Sequence, residues 1–265
     1  MSLTPLFNPA KAGRPMRVAA FMSGTGTNIL KLIELEKILR AREGTPPFEV
    51  VFIFSDRSDG TCRGERIAFE KGIPYFSYDI RSFYRLRGLK RSLATPEGVS
   101  ARKEFDAIPL KLVRAFQVDV IALGGYMSVT TLERCVNVHP ADLSILDSKG
   151  RRKYVGDHAV LDAIEAGEEV LRSSTLWTDQ GVDTGPLLMV SRPVPVELPE
   201  PLDLLRQNRE KFVQVAEEHQ QRLKEIGDWK IFPRTIEMIA RGRFWIDENR
   251  RVYVDGQPVP KGYRE

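Results

Sequence analysis

The sequence predicts an α/β fold built on a mostly parallel, twisted sheet and ending in a helix-hairpin tail. Three observations predict it. Short apolar runs alternate with stretches of helical periodicity up to Gly124, a glycine-rich turn separates the first run from the first helix, and the connections are long enough for right-handed crossovers. Composition agrees, since 265 residues with 42% hydrophobic and 29% charged side chains are the proportions of a globular chain with a sizeable core. The expected organisation is a flexible tail over residues 1–15 and one domain over residues 16–265.

The elements follow in order. RVAAFM, Arg17 to Met22, is an apolar strand; SGTGTN is a tight loop; ILKLIELEKILRA carries apolar residues at helical spacing. EVVFIFS, Glu49 to Ser55, is a second buried strand, TCRGERIAFEKG a helix ended by Gly72, and IPYFSY a third strand, so the rhythm is that of a parallel sheet. Ser82 to Ser100 is basic and weakly patterned, after which ARKEFDAIPLKLVRAF reads as a helix despite Pro109 and VDVIALGGYM as a buried strand. CVNVHP is a short strand, and Ala141 to Val155 a polar loop with the basic run Lys149, Arg151, Arg152 and Lys153. GDHAVLDAIEAG is a short helix with Asp157 as its N-cap and Gly167 as its end. VLRSSTLWT and LLMVSRPVPV are strands flanking the turn DQGVDTGP, the prolines placing the second near an edge. Glu200 to Ile226 reads as a long solvated helix, FPRTIEMIARGR as another, and RRVYVDGQPVP as a hairpin around Asp255-Gly256.

Several classes of function fall away. A formal net charge of +4 over this length does not make a nucleic-acid binder, although it suits phosphorylated or carboxylated small molecules. The two cysteines, Cys62 and Cys135, cannot build a disulfide framework or a four-Cys zinc site, so a reducing cytoplasm is the expected compartment. No apolar run approaches the roughly 18 residues of a membrane span. Three histidines without paired spacing offer no metal site, His219 reading as part of a solvated helix face. No Gly-Lys-Ser/Thr follows the glycine-rich turn, and no hydrolase elbow surrounds Ser23, Ser128 or Ser144.

The remaining candidates can carry chemistry. In Ser23-Gly24-Thr25-Gly26-Thr27-Asn28, backbone N–H groups at the positive end of a helix dipole make an anion site, against the alternative of a plain turn capped by Thr27 or Asn28. Asn137 and His139 share one face of a strand end, where an amide and an imidazole can grip a carbonyl oxygen and move a proton. Taken alone, His139 reads more simply as a strand-end histidine with an ordinary hydrogen bond. Asp183, held between glycines, can orient and charge that imidazole, and it can equally make an Asx turn. His158 opens a helix and is a weak candidate by itself.

SGTGTN, VDVIALGGYM, NVHP, KYVGDHAVLDAIEAG and TDQGVDTGPLL, in this order, resemble the formyltetrahydrofolate-dependent formyltransferases, and within them the branch that formylates 5-phosphoribosylglycinamide in purine synthesis. The C-terminal IFPRTIEMIARGRFWIDENRRVYVDGQPVPKGY continues the likeness, which runs from Arg17 to near the end and is shared at neither end by the methionyl-tRNA formyltransferases. The resemblance implies a Rossmann-like three-layer fold and 10-formyltetrahydrofolate as co-substrate, with no metal. It implies small-molecule partners only, a phosphorylated amine and a folate, with no nucleic acid and no membrane, in a monomer or homodimer. It further implies catalytic roles for Asn137, His139 and Asp183, ribose-phosphate binding by Gly26, Thr27 and Asn28, a folate border formed by Arg102, Tyr126, Met127, Val129 and Asn137, and an accessory place for His158.

Four departures from the family's pattern stand out. Ser128 takes the place of its usual arginine, the loop Ala141 to Lys153 is longer and lacks the proline pattern, Val155 and Asp157 replace a proline and a leucine, and a second expansion lies between Glu218 and Phe232. Three other activities use the same residues: formylation of a different phosphorylated or nucleotide-linked amine, hydrolysis of 10-formyltetrahydrofolate, and binding of folate or nucleotide without turnover.

Overall fold

The computed structural model describes residues 2–179 and 181–264; Met1, Gln180 and Glu265, and with them one position of the expected turn DQGVDTGP, lie outside the described residues. Residues 2–15, expected as a tail, carry structure. Strand β1 (Leu3–Pro5) pairs antiparallel with the strand Phe244–Asp247, Leu3 opposite Asp247, and Phe7 is buried. A helical turn, α1 (Pro9–Ala12), follows with Asn8 capping it through Lys11 N at 3.0 Å. Backbone pairing and one buried ring are what fix this segment, and neither leaves a hydrophobic periodicity to read.

The chain divides into two compact units, one spanning Phe7–Val136 and the other made of the residues up to Leu6 and those from Asn137 onward, so the division falls inside a strand. The Phe7–Val136 unit is the predicted parallel half. It runs β2 (Met16–Met22), α2 (Thr27–Glu43), β3 (Phe48–Ser55), α3 (Gly64–Lys71), β4 (Tyr75–Ser77), α4 (Ile80–Leu86), α5 (Pro96–Ala115) and β5 (Val120–Leu123). The strands lie in the order β5-β2-β3-β4, and every pair is parallel. Phe21, Phe52 and Phe54 are completely or almost completely buried on them, and each such ring contributes about 2–3 kcal/mol of transfer free energy. The weakly patterned stretch after Ser82 conceals α4 and the start of α5, where Thr95 caps through Gly98 N at 3.1 Å and Pro96 stands in the first turn; Pro109 is accommodated inside α5.

Strand β6 (Cys135–His139) leads into the second unit, which continues with α6 (Ala159–Glu165), β7 (Val170–Leu171), β8 (Ser174–Trp177), β9 (Leu187–Val190), β10 (Val194–Pro195), α7 (Leu202–Gln207), α8 (Arg209–Leu223), α9 (Trp229–Ala240), β11 (Phe244–Asp247), β12 (Val252–Val254), β13 (Gln257–Pro258) and β14 (Tyr263–Arg264). Its strands stand in the order β14-β9-β8-β6, with β8 and β9 antiparallel and β14 and β9 parallel, so the protein is α/β with a mixed, mostly parallel sheet. β9 is thus second from the edge, near it as expected, and Pro195 falls in the separate two-strand ribbon of β7 and β10.

Two expectations for the C-terminal region are corrected. The long solvated helix is broken at Gln207–Asn208, and its His219 is buried, accepting from Glu197 N through Nε2 at 3.0 Å and donating from Nδ1 to Val215 O at 2.7 Å. The expansion before Phe232 is a π turn, Lys224–Asp228, joining α8 to α9. The terminal hairpin is as predicted: Val254 pairs with Gln257 around Asp255 and Gly256, both at positive φ as a tight two-residue turn demands.

Candidate active site

In the Phe7–Val136 unit, the glycine-rich turn leaves the carboxyl end of β2 and enters α2. Gly26 is the residue before the helix, at φ +73°, and a Cβ there would stand 2.4 Å from Met22 Cε and 2.7 Å from Ile67 Cδ1, so glycine is required twice over. No side chain caps the helix, which rules out the plain capped turn. Thr27 and Asn28 form the first turn of the 17-residue helix instead, and its first backbone N–H groups have no side-chain cap. The buried Asn28 Oδ1 has no partner among the described residues. Behind the turn, Asp56 is buried and accepts from Ser23 Oγ at 2.6 Å and from Ser128 Oγ, while Met127 N donates to Ser23 Oγ at 2.9 Å. Ser128 is therefore part of a neutral clamp on a carboxylate.

Four of the five residues expected to border the folate lie in this unit, and they separate into two pairs. Arg102 and Tyr126 are buried: the guanidinium contacts Asp106 at 2.9 Å and donates to Tyr126 Oη at 3.3 Å, and Asp106 also accepts from Thr131 N at 2.6 Å. Burial works against the charge of Arg102, but Tyr126 and Asp106 outweigh it; burial also pushes the Tyr126 phenol far up, so it stays neutral. Met127 and Val129 are exposed, 64% and 39%, and present apolar surface to solvent.

In the second unit, β6 carries Asn137 and His139 on one face, the first half-buried and the second 5% exposed. The Asn137 carboxamide has no hydrogen-bond partner among the described residues. His139 Nδ1 lies 3.4 Å from Asp183 Oδ2, and its Nε2 lies 3.2 Å from Tyr154 O. Asp183 sits in the left-handed region, φ +52°, in the loop before β9; its Oδ2 also accepts from Gly156 N at 3.1 Å. The sequence thus anticipates the pair, and the structure adds a feature it does not predict. Burial pulls the His139 imidazole below its usual value, an effect that the Asp183 carboxylate and the Tyr154 carbonyl only partly offset and the Arg152 cation reinforces.

His158 is the residue before α6, exposed, with no side chain capping that helix; the expected cap by Asp157 is absent because the helix begins one residue later. Of the basic run, Lys149 is exposed at a loop tip, Arg151 pairs with Asp147 at 2.9 Å and Lys153 with Glu168 at 3.3 Å. Arg152 turns inward and donates to Asp183 O and, at 2.7 Å, to Gly185 O. Composition suggests a solvated cluster, and only the fold distinguishes this member. Among the described residues, no group of three or more His, Cys, Asp or Glu is placed to hold a metal ion, and no helix is long and apolar enough to cross a membrane.

Residues 16–210 match the Formyl transferase family. The chain belongs to that family. Among its relatives, the Drosophila melanogaster trifunctional purine biosynthetic protein adenosine-3 is 29% identical over 236 residues, covering 86% of this chain but 14% of that much longer protein. The Mycobacterium tuberculosis phosphoribosylglycinamide formyltransferase is 28% identical over 199 residues, 72% of this chain and 76% of that one. Of solved structures, glycinamide ribonucleotide transformylase 1 from Symbiobacterium toebii superposes with a TM-score of 0.62 at 25% identity, over 91% of this chain and 95% of that one.

Proposed function

We propose that this formyl transferase passes the formyl group of 10-formyltetrahydrofolate to the amine of 5-phosphoribosylglycinamide, a step of purine synthesis. The observation that carries the reading is the buried His139–Asp183 pair at the carboxyl end of β6, with the unpartnered Asn137 carboxamide on the same strand face. In this reading Asn137 donates to the formyl oxygen as it gains charge. His139, neutral at the outset, collects the proton that the attacking amine releases, and Asp183 balances the imidazolium so formed. That proton passes to the folate nitrogen as its bond to the formyl carbon breaks. The order accounts for the buried imidazole, whose charge is needed only during the reaction.

Gly26, Thr27 and Asn28 hold the ribose phosphate through the uncapped start of α2. The exposed Met127 and Val129 take the flat face of the folate, while the buried Arg102 and Tyr126 shape the wall behind them. His158 is kept as an accessory group at the edge of the site. We place the reaction in the cytoplasm, where the buried thiols Cys62 and Cys135 remain reduced, and assign a monomer or homodimer that needs no metal. A single-turnover reaction with a 13C-formyl donor tests the assignment: label should appear on the glycinamide nitrogen with the unaltered protein and not with His139→Ala or Asp183→Asn. Equal transfer by folded His139→Ala would overturn it.

A further inference from the structure

The insertion after Pro140 is a built element. Leu146 and Arg152 bridge antiparallel, Lys153 N donates to Ile145 O at 3.0 Å, and Asp147 accepts from Lys149 N at 2.8 Å and from Arg151 N at 2.9 Å. These contacts make a small hairpin that delivers Arg152 at its base. From there the two ends of the guanidinium reach Asp183 O and Gly185 O, the carbonyls of the loop that carries the candidate carboxylate. Two further groups just past the hairpin touch the same pair: Tyr154 O faces His139 Nε2, and Gly156 N donates to the same Asp183 oxygen that faces His139 Nδ1.

We propose that Arg152 is a positioning residue, whose forked grip on the Asp183 and Gly185 carbonyls holds Asp183 in its left-handed conformation and aims the carboxylate at His139. The inference rests on the catalytic reading of His139 and Asp183 given above. Two observations separate it from the alternatives. Both terminal nitrogens of the half-buried guanidinium donate to main-chain carbonyls, which is a structural use of the fork. Its cation opposes protonation of His139, so charge alone would hinder the step and geometry is what the residue supplies. Lysine, with one donor centre on a flexible stem, cannot reproduce a planar fork across two carbonyls.

Arg152 also lines a cavity of about 540 Å³ together with Thr184, Gly185 and Leu187, which gives a small cation a route to the vacated place in a truncated variant. The test compares Arg152→Ala and Arg152→Lys with the unaltered protein, by steady-state formyl transfer and by amide exchange of Gly156 in the 15N-labelled chain. In both variants kcat should fall on the order of ten- to a hundredfold with both KM values unchanged, because a displaced carboxylate costs orientation, not binding. Guanidinium ion, unlike methylammonium, should restore part of the rate to Arg152→Ala, and Gly156 should exchange faster in both variants. Unchanged kcat, or raised KM with kcat retained, would overturn the proposal, as would unchanged Gly156 exchange. If Arg152→Ala does not fold, Arg152→Lys carries the test. If the unaltered protein transfers no formyl group, the catalytic reading fails, while Gly156 exchange still decides whether Arg152 fixes Asp183.

Discussion

Asp228 ends the π turn Lys224–Asp228 and is 3% exposed, its Oδ1 accepting from Ser173 Oγ at 2.5 Å. Burial pushes its carboxyl from 3.8 up to about 6, against the opposing pull of that hydrogen bond and of Lys224. The folded protein therefore holds this proton more tightly than the unfolded chain does. The stability contributed is complete below pH 3.8 and is lost as pH rises through about 6. About two units of difference correspond to about 3 kcal/mol in total, roughly half of it lost above pH 5. Asp228→Asn keeps the volume and the acceptor for Ser173 but cannot ionise. Urea unfolding of both proteins at pH 5 and pH 7.5 should show the unaltered protein losing about 1.5 kcal/mol more than the variant over that interval. At pH 7.5 the variant should melt several degrees higher, given roughly 2–4 °C per kcal/mol for chains of this size. Parallel pH dependence in the two proteins would refute the argument, because titration elsewhere cancels in the comparison.

Three further outcomes are expected. His139→Ala should lose roughly 2.7–4 kcal/mol of transition-state stabilisation, a fall of a hundredfold or more in kcat while thermal melting shows a folded protein. An NMR titration of His139 should give a midpoint below 6.5, with its stabilising contribution lost as pH falls through that depressed value; a midpoint above 6.5 would mean that Asp183 outweighs burial. Gly26→Ala, forced into positive φ with its methyl against Met22 and Ile67, should destabilise the fold by about 1–3 kcal/mol and raise the KM for the phosphorylated amine, both measurable by melting and steady-state kinetics.

The parallel half of the fold is legible because its strands are continuous apolar runs and its helices end at glycines such as Gly72. The His139–Asp183 pair is legible for a different reason: alternation along β6 puts Asn137 and His139 on one face, a glycine-flanked Asp marks a turn, and the resemblance to the formyltransferases is what joins the two. What the pattern hides depends on long-range contacts. β1 is held by pairing with β11, 240 to 244 positions away by register (Leu3 to Asp247, Pro5 to Trp245), and nothing local encodes that partner. His219 lies among Glu217, Glu218 and Gln220 in sequence, yet its ring faces inward to the backbone of Glu197. Arg152 sits in a run of four cations whose members differ only in what the fold puts opposite them: Asp147, Glu168, solvent, or the carbonyls of the Asp183 loop. The charge state of His139 is hidden in the same way, because burial is a property of the folded surroundings and not of the Asn-Val-His run.

The most direct test is donor turnover measured with and without 5-phosphoribosylglycinamide, following loss of the formyl group from a 10-formylfolate donor by absorbance and the formylated amine by mass. The account predicts donor consumption that requires the amine, matches the product one to one, and disappears in Asp183→Asn. Consumption of the donor at the same rate without the amine, with formate as the product, would contradict it and make the protein a hydrolase.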